Sequence, residues 1–416
     1  MTKDQKQVIF SAVLIFTAVL CVYLIKFRYA GSGDTIPNEL LPVTIIREHN
    51  LDFNEFVKDP EKIGYFFANV NGKIVSFYSL VTGFLNTPAY VIANALGFDI
   101  FSARFILSMI SASVMTALSA VFLYLCLLRV TEKHSTAVFF VLVYAFGTTA
   151  WSIASRGVWH HTSSLLFITI ALYILLSRNE RSLPFAGLFL GLTILNRQGN
   201  AAMAVALLAY VLVYFRRRFA YFLILFLIPP AFLLFDYHVW KMDFGYLSGN
   251  MLEGISGLLF SPSRGLFVFS PVFIFAFLGI AYCLFVRKEN KLFPFLAAGI
   301  ALHILLFSHW QLWWGGHCFG YRFLTETAPA LTIFLAVYWE KVIDKKAYLR
   351  VPFLLLLSVS VYFHFLGAFY YPSGFNWYPD DIDKDPKRLW NVKDSELTRC
   401  TIGFLINSGI VKRPQG

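Results

Sequence analysis

Long apolar runs separated by short polar and basic clusters repeat from one end of this chain to the other. The first run, Val8 to Tyr29, suffices to cross a hydrocarbon core, which takes about 20 residues of helix. It is too long for a signal-peptide core and has no small-residue cleavage site, so it is read as a membrane helix. Basic clusters follow at Arg129/Lys133, Arg178/Arg181, Arg216-Arg217-Arg218, Arg287-Lys288-Lys291 and Lys341/Lys345/Lys346/Arg350. If all of them face the cytoplasm, an even number of crossings separates each from the next. The runs then pair as helices at 135–152 and 162–177, 183–197 and 200–215, 219–240 and 266–286, and 292–308 and 322–340, with a last one at 351–371.

Between the first helix and Arg129 lie two apolar runs, 75–97 and 102–128. If both crossed, every later basic cluster would face out. The first carries Ser76, Ser79, Thr82, Gly83, Asn86, Thr87, Pro88 and Asn94, which suit lipid poorly. It is expected to form an external interfacial or re-entrant helix that begins at Lys73. The pattern therefore predicts an all-α polytopic membrane protein with about eleven crossings. Residues 1–371 form the membrane domain, 30–101 its long first external loop, and 372–416 an external cap. The N-terminus is expected inside and the C-terminus outside.

Composition agrees: 58% of residues are hydrophobic and only 14% charged, unlike a soluble domain. The net charge of +11 sits in the short clusters between runs, so it reads as an orientation signal and not as a nucleic-acid surface. Cys21, Cys126 and Cys283 lie inside apolar runs; Cys318 and Cys400 fall in outer segments, where a disulfide between them is one option.

The polar residues at the outer helix ends carry the candidate chemistry. Asp34, in Ala30-Gly31-Ser32-Gly33-Asp34-Thr35-Ile36-Pro37, sits where the chain leaves the first helix. It is placed to meet a substrate whose tail lies in lipid, and it could also cap a helix starting near Pro37. Glu39 is close enough to assist it. Single arginines mark four outer ends: Arg156 before Trp159-His160-His161, Arg197, Arg264, and Arg322 after Trp313-Trp314-Gly315-Gly316-His317 and Tyr321. Arg offers forked donors for phosphate, and neighbouring glycines let backbone amides approach; snorkelling to lipid headgroups is the alternative. His160, His161 and His317 are expected to bond phosphate or sugar, and Lys73 to contact an anion. Trp159, Trp313, Trp314 and Tyr321 are expected to wall the same cavity. No zinc-site spacing, nucleotide loop or nucleophile elbow occurs, so no metal is expected.

Together these features resemble the GT-C superfamily of membrane glycosyltransferases, which take sugar from a polyprenyl-phosphate carrier. Its layout has a first helix, a long external loop opening on an acidic residue, interfacial helices and then a helix bundle; Asp34 stands at the acidic position. Protein O-mannosyltransferases and the aminoarabinose transferases of lipid A are similar in layout. In the latter a Lys-Pro-Pro-Leu-x-Tyr stretch supplies a phosphate-binding lysine. Lys73-Ile74-Val75-Ser76-Phe77-Tyr78 shares its lysine and tyrosine but neither proline. Many members pair two acids at the first site, whereas Thr35 follows Asp34 here, so a divalent metal is not firmly implied. The motifs Gly-Asp-Thr-x-Pro-Asn, Ser-Pro-Ser-Arg-Gly-Leu-Phe and Trp-Trp-Gly-Gly-His-x-Phe-Gly-x-Arg look like those of a bacterial branch.

The resemblance implies a multi-pass protein of a bacterial inner membrane. It would move sugar from a polyprenyl-phosphate donor to a glycan, lipid or protein acceptor on the outer side, with inversion and with Asp34 as base. Two other readings remain at this stage. One is a transporter or scramblase of lipid carriers, although transporters tend to show internal repeats and none is found. The other is a ligase acting on a diphosphate-linked oligosaccharide.

Overall fold

The computed structural model describes residues 3–57, 64–177, 179–235, 247–286, 290–371 and 373–411. Arg178, Arg287, Lys288, the end of the expected 219–240 helix and the residues 241–246 that follow it lie outside them. The chain is predominantly helical. Among the described residues, four helices are long and apolar enough to cross a membrane: α1 (Lys3–Leu24, from Gln5), α4 (Arg104–Val130), α6 (His160–Ser177) and α15 (Ala347–Tyr370). Shorter apolar helices stand near the other expected spans. They include α5 (His134–Phe146), α7 (Leu183–Asn196), α8 (Ala201–Tyr214), α12 (Phe273–Ala281) and α13 (Phe293–Ser308), while α10 (Met251–Phe260) forms between the expected 219–240 and 266–286 helices, where no span is expected. The expected count of eleven is therefore not matched by helix length among the described residues.

Local chemistry explains the shortened helices. The expected 135–152 helix stops at Phe146, where Gly147 follows and Thr148 Oγ1 bonds back to the Tyr144 carbonyl at 2.6 Å. The expected 266–286 helix is split by Ser270-Pro271 into α11 (Leu266–Phe269) and α12. The expected 322–340 helix opens as a tighter turn over Arg322–Thr327 before α14 (Ala328–Tyr338). Cys318 and Cys400 are not joined to each other, so the disulfide option is not realised.

The largest departure is at Lys73. Residues 73–76 are not the start of a helix but the second strand of an antiparallel hairpin, β1 (Phe67–Val70) and β2 (Lys73–Ser76). The turn is Asn71-Gly72, with φ of 53° and 82°. Positive φ at both central residues is the hairpin turn that Asn-Gly favours. The interfacial helix α3 (Val81–Ala95) starts only after it, and its 15 residues fall short of a span.

The chain divides into two compact units. The first comprises Met1–Leu123, Ala154–Ala204 and Val211–Met242; the second comprises Tyr124–Ile153, Val205–Tyr210 and Asp243–Gly416. In the first unit, α2 (Ile36–Arg47) packs on α3 and under the hairpin, through a core of Leu40, Leu41, Phe53, Phe67 and Ile74. Also in this unit, α7 lies close against α9 (Arg216–Ala231). A Cβ at Gly187 or Gly191 would come within 2.4 Å of the Phe222 or Phe226 carbonyl, so this Gly-x-x-x-Gly pair sets the approach. In the second unit, α5, α12 and α14 pack together, and α16 (Glu396–Asn407) lies against α15. Helix α16, in the expected C-terminal cap segment, thus packs within the second unit.

Candidate active site

Three elements of the first unit place Asp34. The chain leaves α1 and passes a latch built by residues 156–159. Arg156 donates to the carbonyls of Tyr23 (2.6 Å) and Lys26 (3.1 Å), at the end of α1, where carbonyls lack intrahelical donors. Trp159 Nε1 donates to the Ala30 carbonyl at 2.8 Å, and the Ala30 amide donates to the Arg156 carbonyl at 2.9 Å. A single turn, Gly33–Thr35, then presents Asp34, and α2 begins at Ile36. The Ser32 hydroxyl caps that turn, and the Thr35 side chain at the start of α2 makes no cap bond.

Two tyrosines hold the carboxylate. Tyr78 and Tyr65 hydroxyls donate to Asp34 Oδ1 at 2.9 and 3.1 Å. The hairpin explains why two residues thirteen apart converge. Its register pairs Phe67 with Ser76, and the Phe77 amide donates to the Phe66 carbonyl at 2.9 Å beyond the strands. Two residues further out, the same register sets Tyr65 opposite Tyr78. Alternation puts both on the face of Phe67 and Ile74, which packs on α2. Gly33 leaves room for this contact: a Cβ there would lie 2.3 Å from the Tyr65 hydroxyl oxygen.

Glu39 lies one turn along α2, only 3% exposed. It accepts from Thr35 Oγ1 at 2.6 Å and from the Tyr29 hydroxyl, so it buttresses the loop that carries Asp34. Burial pushes its carboxyl up to about 8, with Arg104 pulling the other way. Between about 4.5 and 8 the folded protein therefore holds a proton that the unfolded chain has released. This contribution to stability is complete below about 4.5 and is lost as pH rises toward 8. Thermal unfolding of the wild type minus that of Glu39→Gln, followed across this window, should show a difference that falls with pH. A flat difference would refute the buried neutral acid.

Among the other expected residues of this unit, Arg156 and Trp159 are buried, with donors on the carbonyls of the α1 latch. Burial lowers the Arg156 guanidinium to about 10, still cationic at neutral pH. His160 is buried beneath Tyr78, with its Nε2 3.1 Å from the Ser79 carbonyl. His161 is buried beside Trp159. Arg197 is half-buried at the α7 end, and Lys73 is exposed on β2.

In the second unit, Arg264 is 1% exposed and pairs with the fully buried Glu396 at 3.0 Å. It also donates to the carbonyls of Trp314 (3.1 Å) and Ser263 (2.6 Å) and to Asn376 Oδ1 (3.0 Å). Donors committed in this way hold the framework around Glu396. Burial raises the Glu396 carboxyl to about 7 against the pull of Arg264 and the Gly320 amide. The Arg264 guanidinium keeps its proton, and its charge favours the ionised form of Glu396. Trp313 and Trp314 are buried, their indole nitrogens 3.4 Å from Glu253 and 2.7 Å from Asp383, so they do not form an outward belt. Tyr321 is buried against Ser270 (2.7 Å), and Arg322 is half-buried over Phe323. His317 faces Asp381 at 2.9 Å.

No protein-family model matches the chain, and no curated protein matches it in sequence. Solved structures do match its fold. Undecaprenyl phosphate-bound ArnT of Cupriavidus metallidurans aligns at TM-score 0.54 and 14% identity, over 97% of this chain and 76% of that one. The oligosaccharyltransferase AglB of Archaeoglobus fulgidus, with an inhibitory peptide and dolichol-phosphate, aligns at 0.52 and 12%, over 94% of this chain. This chain has the GT-C fold. It spans 60% of the AglB chain.

Within the GT-C fold seen here, the residues missed from sequence are Tyr65 and Tyr78. The signal is present. Asn71-Gly72 with alternating residues on both sides is a hairpin pattern, and its register already sets 65 opposite 78.

Proposed function

We propose that this protein transfers a sugar from a polyprenyl-phosphate carrier to an acceptor hydroxyl on the outer side of the membrane, with inversion. The observation that carries this reading is the Asp34 carboxylate, fixed by Tyr65 and Tyr78 at the exit of α1 in a chain of GT-C fold. Structural neighbours were solved with undecaprenyl phosphate or dolichol-phosphate, which supports a lipid-linked donor. Asp34 takes the proton of the acceptor hydroxyl while its oxygen attacks the anomeric carbon. The bond from that carbon to the phosphate oxygen breaks. The phosphate leaves as an anion, so no general acid is required. One base opposite a good leaving group differs from the paired carboxyls of glycoside hydrolases. Arg197 and Lys73 are the first unit's candidates for steadying the phosphate charge. The acceptor is a glycan, lipid or protein.

Purified protein in liposomes, given radiolabelled polyprenyl-phosphate sugar and a hydroxyl acceptor, should form a glycoside of inverted anomeric configuration. Carrier movement between leaflets without sugar transfer would sink the enzyme reading in favour of a scramblase. A requirement for diphosphate carriers would favour a ligase.

A further inference from the structure

In the second unit, His317, Asp381 and Asp383 bring three ligand atoms within 4.8 Å of one another. We propose that these side chains bind a divalent transition-metal ion, Zn²⁺ first, which fastens the C-terminal segment to the Gly315-Gly316-His317 loop. Zinc holds nitrogen and oxygen ligands at about 2.0–2.2 Å, which sets ligand atoms roughly 3–4 Å apart. Here His317 Nε2 lies 2.9 Å from Asp381 Oδ1 and 3.6 Å from Asp383 Oδ2. An imidazole beside two carboxylates favours zinc over magnesium or calcium, which prefer oxygen throughout.

The surroundings orient each ligand. Ile382 is fully buried between the two aspartates, and the turn closed by the Lys384 and Asp385 amides on the Asp381 carbonyl, both at 2.9 Å, brings both carboxylates beside His317. The Asp383 amide donates to Asp381 Oδ1 at 3.0 Å and tightens that turn. Trp314 Nε1 holds Asp383 Oδ1 at 2.7 Å, and Oδ2 is the oxygen near His317. The Trp377 ring stands edge-on to the imidazole at 4.0 Å and fixes its plane. Outer partners of this kind set the direction of metal ligands. The loop itself runs through left-handed backbone at Gly315 and Gly316, φ 75° and 66°, to deliver His317 beside the Trp314 it has just left. Three protein ligands leave at least one coordination position for water or an anionic group.

Full-length protein in detergent, stripped by a chelator and titrated with Zn²⁺, should take up one equivalent per chain. Asp381→Asn should weaken binding, and Trp314→Phe, which removes only an outer partner, should weaken it roughly 10–100-fold. X-ray absorption of the zinc-loaded wild type should report one histidine nitrogen with oxygens. That spectrum stays informative even if a variant fails to fold. No stoichiometric uptake, a sulfur shell, or uptake undiminished in the Trp314 variant and a folded Asp381 variant would mean an adventitious ion only, and would overturn the site.

Discussion

Asp34→Asn is expected to lower sugar transfer by roughly 10²–10⁴-fold, the range for loss of a general base. The substitution keeps size and shape, and the amide oxygen can still accept from Tyr65 and Tyr78. Thermal stability should therefore stay close to that of the wild type, which separates lost chemistry from lost fold. The loss should fall on kcat, because the proton moves only in the transition state. Tyr78→Phe should act in the same direction but more weakly. A hydrogen bond to a charged group contributes about 1.5–3 kcal/mol, one to two orders of magnitude in rate at most. Tyr65 is more exposed and its loss should matter less. Single-turnover transfer from a labelled donor measures all three. An Asp34→Asn enzyme that keeps its rate would move the base elsewhere.

Glu396→Ala should produce the largest loss of stability, about 3–5 kcal/mol, because it leaves Arg264 buried and charged without its carboxylate. It also strips the Gly320 amide of its acceptor, 2.7 Å away. Glu396→Gln keeps an acceptor for that amide and should fall between the alanine variant and the wild type. Replacing both partners by apolar residues should cost less than Glu396→Ala alone, since no charge is then stranded. It should not restore the wild type fully, because the carbonyls of Ser263 and Trp314 and the Asn376 side chain lose their donor. Thermal unfolding and the rate of proteolysis near residues 373–411 both report this. If Glu396→Ala melts like the wild type and its C-terminal segment is cut no faster, the pair does not hold the segment.

Much of this protein is written locally and can be read from sequence. Apolar runs and basic clusters set the helix order, because burial in lipid or protein requires about 20 apolar residues for a span and disfavours charge. α4, α6, α7, α8, α13 and α15 stand close to their expected places. Asp34 is identifiable because glycines, a proline and the end of an apolar run coincide there. Helix ends are less legible: Gly147 and Pro271 act through backbone bonds that a hydropathy pattern averages away.

Tertiary structure decided what the polar residues do. Arg156 and Arg264 look alike in sequence to phosphate ligands, yet carbonyls and Glu396 from distant segments meet their donors. Lys73 reads as the start of a helix until Asn71-Gly72 pairs it with Val70 across a hairpin. His317 has no metal-ligand spacing, since its carboxylate partner Asp381 is 64 residues away. The two arginines and His317 share one physical reason, whereas exposed Lys73 is placed by backbone pairing alone. A guanidinium or imidazole takes its role from the acceptor that shares its low-dielectric surroundings, and chain folding, not sequence neighbourhood, chooses that acceptor.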